Sequence, residues 1–289
     1  MAVFDRRTVL AGMAALPLLV NARPLFAVDP YGPENAAITV VVMDPMALPL
    51  ACDCVQGYAQ RKYEVLADYL KAQLGQSVRV VWAEALEVGL QSRGSGKKTI
   101  VIGKDSVVRQ ESKGMKLAMQ PVAQLTDMNG GVLQHGIFVV SRDNPAATML
   151  DLEGYQVLWG PDKCDEKSAA PKAKLKELEI ETQPADVCET CSVAAKKLLA
   201  MSPNAKVAAV ISSYAEPLLA GCGTIKKGDL RVVGRSDEVP FVSLFADANF
   251  SESEREQLQK ALLAAKNSKD LMQAMETRDG FVAYGSKKK

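Results

Sequence analysis

The residues with the greatest chemical potential lie in a turn between a predicted strand and a predicted helix. The segment WGPDKCDEKSAAPKAKL, residues 159–175, places Cys164 beside the carboxylates of Asp162, Asp165 and Glu166. At such a junction, free backbone N–H groups and the helix dipole attract anions. Asp165 and Glu166 either stabilise the helix start or contact a ligand, and the pattern leaves both interpretations open.

Cysteines form the second group of candidate residues. All six follow the N-terminal segment; one, Cys222, lies in a glycine turn, and five occur in predicted loops: Cys52, Cys54, Cys164, Cys188 and Cys191. An even number of cysteines in an oxidising compartment favours disulfides, which is our expectation. The alternative is a metal site formed by the five loop cysteines, because thiolates bind Zn²⁺ and Cu⁺. We expect no other cofactor.

The sequence gives little support for catalysis. His135 is the only histidine, and no Ser/His or Cys/His/Asn set accompanies it. Nucleophilic catalysis needs a nucleophile with a base beside it. The CETC motif lacks the aromatic and proline setting of a thiol oxidoreductase. We therefore expect a binding protein and not an enzyme.

The composition limits the class of partner. The chain has 289 residues, of which 48% are hydrophobic, so a sizeable core can form. Lys and Arg number 35 against 34 Asp and Glu, and aromatic residues make up only 6%. A nucleic-acid-binding protein would favour a basic surface and stacking aromatics, so we expect a small-molecule ligand and no nucleic acid.

The N-terminus has the pattern of an export signal. MAVFDRRTVLAGMAALPLLVNARPLFA, residues 1–27, carries Arg6 and Arg7 before an apolar stretch, with small-residue cleavage points after Ala22 and Ala27. The paired arginines are typical of a twin-arginine signal, with an ordinary secretory signal or an uncleaved anchor as the alternatives. The apolar stretch is short for a membrane span. We expect a periplasmic protein.

Strand and helix patterns alternate in the remainder. In RKYEVLADYLKAQLG the apolar residues Tyr63, Leu66, Ala67 and Leu70 share one helix face, and Gly75 ends the helix. The first block reads β-α-β-α-β, which indicates a parallel sheet covered by helices. A second block follows an extended connection near residues 131–136. This layout predicts two lobes around a hinge, with a ligand cleft between them.

Four stretches carry a family resemblance from about residue 38 to residue 284. They are RKYEVLADYLKAQLGQSVRVV, GIFVVSRDNPAATMLDLEGYQVLWG, DLRVVGRSDEVPFVSLFAD and LLAAKNSKDLMQAMETRDGFVAY. In this order they resemble the periplasmic substrate-binding proteins of phosphate, phosphite and phosphonate ABC transporters. The resemblance implies an α/β clamshell of the type II kind, with each lobe a mostly parallel sheet flanked by helices. We expect residues 28–132 and 235–289 in lobe 1, and residues 133–234 in lobe 2.

The resemblance also assigns the turn at residues 159–175. In the family, a run of serine and threonine hydroxyls here holds the oxyanion. Gly160 and Pro171 keep the family spacing, but Cys164, Asp165 and Glu166 replace the hydroxyls, and Lys167 stands where glycine is expected. Carboxylates repel an oxyanion. Lys163 and Lys167 could still pair with an anion, and Ser168 could supply a hydroxyl.

Further candidate ligand contacts follow other strands, where α/β sheets place their ligands. By resemblance, the first-lobe ligand loop contains Lys104, Asp105 and Ser106, with a solvated turn as the alternative. The second-lobe position corresponds to Ser212, Ser213 and Tyr214. Tyr58, in CDCVQGY, either closes over the ligand or packs between loops.

The implied function is capture of a small phosphonate- or phosphate-like oxyanion and its delivery, by a monomeric protein, to an inner-membrane ABC permease. The alternative is a binding module repurposed for a metal or another cation, or as an accessory to an exported redox enzyme, using the cysteines and carboxylates of the cleft.

Overall fold

The computed structural model describes residues 29–51 and 60–286. The predicted signal segment, Cys52, Cys54 and Tyr58 lie outside these residues. The strands are β1 Ile38–Met43, β2 Val78–Trp82, β3 Lys98–Lys104, β4 Met119–Leu125, β5 Leu133–Gln134, β6 Gly136–Ser141, β7 Gln156–Leu158, β8 Val207–Ser212, β9 Leu230–Arg235, β10 Val239–Pro240, β11 Val242–Asp247 and β12 Phe281–Ala283. The α-helices are α1 Tyr63–Leu74, α2 Leu86–Gln91, α3 Asp105–Gly114, α4 Ala169–Glu177, α5 Cys191–Leu199, α6 Ala215–Gly221, α7 Glu252–Ala264 and α8 Lys269–Ala274.

These strands form two main sheets, and each defines a lobe. The first lobe has the strand order β12-β4-β11-β3-β1-β2, and the second has the order β7-β8-β6-β9. The two-residue strands β5 and β10 pair as an antiparallel ribbon where the chain passes between the lobes. The predicted two-lobed α/β architecture is confirmed.

The sheets are mixed rather than mostly parallel as predicted. β1 pairs parallel with β2 and β3, and β7 pairs parallel with β8. β11, however, is antiparallel to both β3 and β4, and β6 is antiparallel to both β8 and β9. The reason is that the chain crosses between the lobes twice. A strand that leads toward the ribbon and a strand that returns from it therefore run in opposite directions.

The side chains of β1 alternate between the two faces of the first sheet, and both faces are apolar and covered by helices. Ile38, Val40 and Val42 enter the core cluster shared with α1 and α7. Val41 and Met43 point to the opposite face and pack with residues of α2 and α3. Every side chain of this strand is buried, as expected for a central strand covered on both sides.

The predicted features of α1 are confirmed. Its buried residues are Tyr63, Leu66, Ala67 and Leu70, and Gly75 closes the helix in the left-handed region with φ 64°. Tyr63 also donates a 2.6 Å hydrogen bond to Oδ2 of Asp44, which accepts a second bond of 2.9 Å from Arg61. This buried network anchors the segment after β1 that leads into the cleft.

In the described ranges, no helix combines the length and the apolarity needed to cross a bilayer.

Candidate functional site

A cavity of about 220 Å³ lies between the lobes, where β1, β3 and β8 end. Its wall is largely apolar, and it includes side chains from both lobes: Met43, Pro45, Leu50, Ala83, Glu84, Lys104, Val107, Lys163, Cys164, Lys167, Glu189, Thr190, Cys191, Tyr214 and Ala215. Three residues predicted from the sequence as ligand contacts, Lys104, Cys164 and Tyr214, are among them. The carboxyl ends of strands are where α/β sheets usually bind ligands.

Lys104 supplies one positive charge to this wall. It is the last residue of β3 and directly precedes α3. Its Nζ lies 2.5 Å from Oε1 of Glu166, which belongs to the other lobe. Burial opposes the charge on Lys104, but the carboxylate of Glu166, together with smaller effects of Tyr214 and the nearby thiols, outweighs burial and raises the pKa of Lys104 well above its usual value. The ammonium also lies 5.4 Å from the centre of the Tyr214 ring.

Glu166 lies behind the wall and not in it. It occupies the single 3₁₀ turn Asp165–Lys167, and none of its surface is exposed. Ser212, at the end of β8, donates a 2.9 Å hydrogen bond to the same Oε1 that pairs with Lys104. Burial opposes ionisation of Glu166, yet Lys104, the charge of the neighbouring Lys167 and the Ser212 hydroxyl together overcome this effect and lower the pKa of Glu166. Oε2 has no hydrogen-bond partner within the described residues.

Glycine at the start of β6 allows the turn to come this close. A Cβ on Gly136 would lie 2.1 Å from the carbonyl oxygen of Glu166. Any other residue would therefore push the turn away from the second sheet and from Lys104.

Lys167 supplies the second buried ammonium, and its side chain is only 5% exposed. Its Nζ donates a 3.2 Å hydrogen bond to the backbone carbonyl of Glu189. Within residues 29–51 and 60–286, no carboxylate lies within ion-pair distance of it. Gly160 makes room for its stem, because a Cβ there would lie 2.5 Å from Cβ of Lys167. Its signal in the sequence was a lysine standing where the resembled family has glycine.

The other turn residues considered as ligand contacts either have partners within the protein or lie away from the cavity. Lys163 forms a 2.7 Å ion pair with Glu111 of α3, although its chain also touches the cavity. Ser168 donates a 2.7 Å hydrogen bond to Asp162. Asp165 is half-buried and does not line the cavity.

The two lobes are hydrogen-bonded to each other beside the cavity. Ser106 donates to the carbonyl of Lys163 at 2.9 Å and accepts from the backbone N–H of Asp165 at 3.1 Å. Gln110 donates to the carbonyl of Asp162 at 3.1 Å. The predicted residue Ser106 therefore connects the lobes and does not face the cavity.

Two further predicted contacts also lie elsewhere. Asp105 pairs with Arg109 at 2.7 Å and accepts a 3.0 Å hydrogen bond from Tyr284. Ser213 accepts a 3.3 Å bond from the backbone N–H of His135, and both residues line a separate cavity of about 800 Å³ beside the ribbon.

Sulfur atoms line the remaining part of the wall. Cys164, Cys191 and Met43 all contact the cavity. Sγ of Cys191 accepts a 3.5 Å hydrogen bond from the backbone N–H of Ser212. Burial raises the pKa of the Cys164 thiol. Cys188 lies in the core of the second lobe and does not reach the wall.

Neither predicted use of the cysteines is seen in the described residues. Cys164, Cys188, Cys191 and Cys222 are free thiols there. Three or more His, Cys, Asp or Glu side chains do not come together as a metal-binding group in those same ranges. Cys52 and Cys54, which belong to both predictions, lie outside the described part of the chain.

Comparison with solved structures finds the same fold. XAC2383 from Xanthomonas citri, bound to ATP, matches with a TM-score of 0.63 and 13% identity over 85% of this chain and 90% of that chain. PhnD1 from Prochlorococcus marinus, in complex with methylphosphonate, matches with a TM-score of 0.61 and 12% identity over 86% of this chain and 92% of that chain. A binding protein component of an ABC phosphonate transporter from Pseudomonas aeruginosa matches with a TM-score of 0.61 and 11% identity over 86% of this chain and 82% of that chain.

The sequence assigns the family directly. A search of curated proteins finds no significant match. The family described as "ABC transporter, phosphonate, periplasmic substrate-binding protein" matches residues 56–286, which is most of the chain. Members of this family bind small ligands for an ABC permease and are not enzymes, in agreement with the expectation from the sequence. The chain therefore belongs to the periplasmic substrate-binding proteins of phosphonate-type ABC transporters.

Proposed function

We propose that this protein captures a small organic oxyanion in the interlobe cavity and delivers it to an ABC permease. The lobes keep the bounds expected from the sequence, residues 28–132 with 235–289 and residues 133–234, except that Arg235 ends β9 of the second lobe, and they close about the ribbon of β5 and β10. The protein acts as a monomer after export through the twin-arginine signal. Phosphonates are the reference ligands because PhnD1, which shares the fold, is in complex with methylphosphonate.

The observation that carries the proposal is the buried ammonium of Lys167. Lys104 is neutralised by Glu166, whereas Lys167 donates only to a carbonyl among its described neighbours. A buried charge without an ion-pair partner of its own is costly, and an anionic ligand in the cavity would reduce that cost.

The apolar lining of the cavity favours a ligand with an apolar portion. Around the two ammonium groups the wall consists largely of apolar side chains, among them Met43, Leu50 and Val107. Ligand cavities of this kind use a few polar groups to orient the ligand and apolar surface for the rest. The volume of about 220 Å³ suits a small ligand.

Calorimetric titration of the mature protein tests this proposal. Methylphosphonate, methanesulfonate, phosphate and acetate are titrated into the wild type and into Lys167→Met. We expect saturable binding of at least one organic anion to the wild type and its loss in Lys167→Met. Lys196→Met removes an exposed lysine of α5 and serves as the control, which should bind like the wild type. Absence of anion binding, or its survival in Lys167→Met, would contradict the proposal.

A soft metal ion is the second candidate ligand, because Cys164, Cys191 and Met43 line one cavity. Thiolate and thioether sulfur bind Cu⁺ well. Mass spectrometry of the exported protein under non-denaturing conditions distinguishes the two functions. Stoichiometric copper or zinc that is lost in Cys164→Ser would favour the metal, and the accessory role in redox chemistry would then become the leading function.

A further inference from the structure

We infer that Glu166 sets the charge class of the ligand: it fills the anion-binding position with a carboxylate of the protein, so that the cavity accepts singly charged oxyanions in preference to doubly charged ones. This inference rests on the proposed function, and it names the ligand class as small sulfonates, carboxylates or phosphonate monoesters. Glu166 does not touch the cavity, and it acts by neutralising Lys104.

Contacts of Glu166 are those that a bound oxyanion would make. A lysine ammonium at the end of β3 and a serine hydroxyl at the end of β8 converge on one oxygen, at 2.5 and 2.9 Å. These two donors come from different lobes. They lie at the carboxyl ends of strands, where α/β proteins collect ligand groups. A protein carboxylate thus takes donors that otherwise would be available to a ligand.

The charge balance of the buried groups follows from these contacts. Lys104 and Lys167 are 7% and 5% exposed, and Glu166 is fully buried. Their formal charges sum to one positive charge beside the cavity. Lys163 also touches the cavity, but Glu111 pairs with it. Glu84 and Glu189 line the cavity as well, but both are exposed to solvent, which screens their charge. One negative charge on the ligand completes the balance, and a second would be buried without a partner.

The unpartnered oxygen of Glu166 adds a repulsive element. Oε2 accepts no hydrogen bond within the described residues. A dianion in the cavity would increase the repulsion with this carboxylate, whereas a monoanion would be balanced by Lys167. Discrimination by repulsion is a common source of specificity in binding sites.

Methanesulfonate and methylphosphonate provide matched probes. Both are tetrahedral with one methyl group, but at alkaline pH the sulfonate carries one negative charge and the phosphonate two. We expect wild-type protein to bind methanesulfonate more tightly than dianionic methylphosphonate. Glu166→Gln should move the ratio of the two dissociation constants by about tenfold or more toward methylphosphonate. Glu177→Gln makes the same substitution on an exposed residue of α4 and should leave the ratio unchanged.

The double variant Lys104→Met/Glu166→Gln removes both charges of the pair and keeps Lys167. It should restore the wild-type preference for the monoanion, which a merely structural role of Glu166 would not predict. An unchanged ratio in a folded Glu166→Gln protein that still binds anions would overturn the inference while leaving the proposed function intact. If Glu166→Gln fails to fold, the wild-type protein provides the test. Tighter binding of dianionic methylphosphonate than of methanesulfonate to the wild type would overturn the inference. Failure of the wild type to bind either probe contradicts the proposed function itself.

Discussion

Lys104 and Glu166 are 62 positions apart in the sequence, yet Nζ of the first lies 2.5 Å from Oε1 of the second. The pair joins the end of β3 in the first lobe to the turn before α4 in the second. Both side chains are almost inaccessible to water. The charges therefore depend on each other, and the stability of this contact between the lobes depends on both.

Removal of one partner should be strongly destabilising. Glu166→Ala leaves the ammonium of Lys104 buried without its counter-ion, and we expect the free energy of unfolding to fall by about 3–5 kcal/mol. The double variant Lys104→Met/Glu166→Gln leaves neither charge of the pair without its partner, and it should lower the free energy of unfolding by much less. Urea denaturation followed by circular dichroism measures both. A loss in the double variant equal to the sum of the losses in Lys104→Met and Glu166→Gln would show that the two side chains are not coupled.

The same pair predicts how stability depends on pH. The pKa of Glu166 is lowered in the folded protein, so its contribution is present above its ordinary value, near about 4.3, and is lost as the pH falls through the folded value. The pKa of Lys104 is raised, so its contribution is lost only above about pH 10.4. Wild-type stability should fall more steeply on acidification than that of Lys104→Met/Glu166→Gln. Parallel curves below about pH 4 would contradict this prediction.

Gly160→Ala should impair ligand binding through Lys167. The added Cβ would lie 2.5 Å from Cβ of Lys167 and 2.9 Å from its Cδ, so the lysine stem must move. We expect weaker anion binding, measured by calorimetry, with a modest loss of stability. Gly114→Ala, at the end of α3, has no neighbour within 4 Å of the new atom and is the matched control. Binding that is unchanged in Gly160→Ala would mean that the position of Lys167 does not matter.

Thiol reactivity should follow burial. Burial raises the pKa of Cys164 and of Cys188, so both should be alkylated slowly by iodoacetamide in the native protein. Cys222 is half-buried and should react faster. Peptide mass spectrometry of native and denatured samples gives the rates and counts the thiols. Rapid native labelling of Cys164, or a disulfide that joins it to Cys188, would contradict the geometry described above.

Patterns within single stretches of the sequence were enough to predict individual elements and the family. The periodicity of Tyr63, Leu66, Ala67 and Leu70, with Gly75 after them, located α1. Such signals are local, because hydrophobic period and capping depend on residues a few positions apart. The ordered resemblance of four segments gave the two-lobed architecture.

The tertiary structure decided strand direction and the roles of the polar residues. β11 and β6 run antiparallel to their neighbours because the chain crosses between the lobes twice, and this follows from the path of the whole chain. The sequence placed Glu166 in a turn with anion-binding geometry, but only the approach of Lys104 and Ser212 from other elements shows that its carboxylate occupies the position of an anion. Contacts between residues distant in the chain depend on packing, and a single sequence does not encode them in any local pattern.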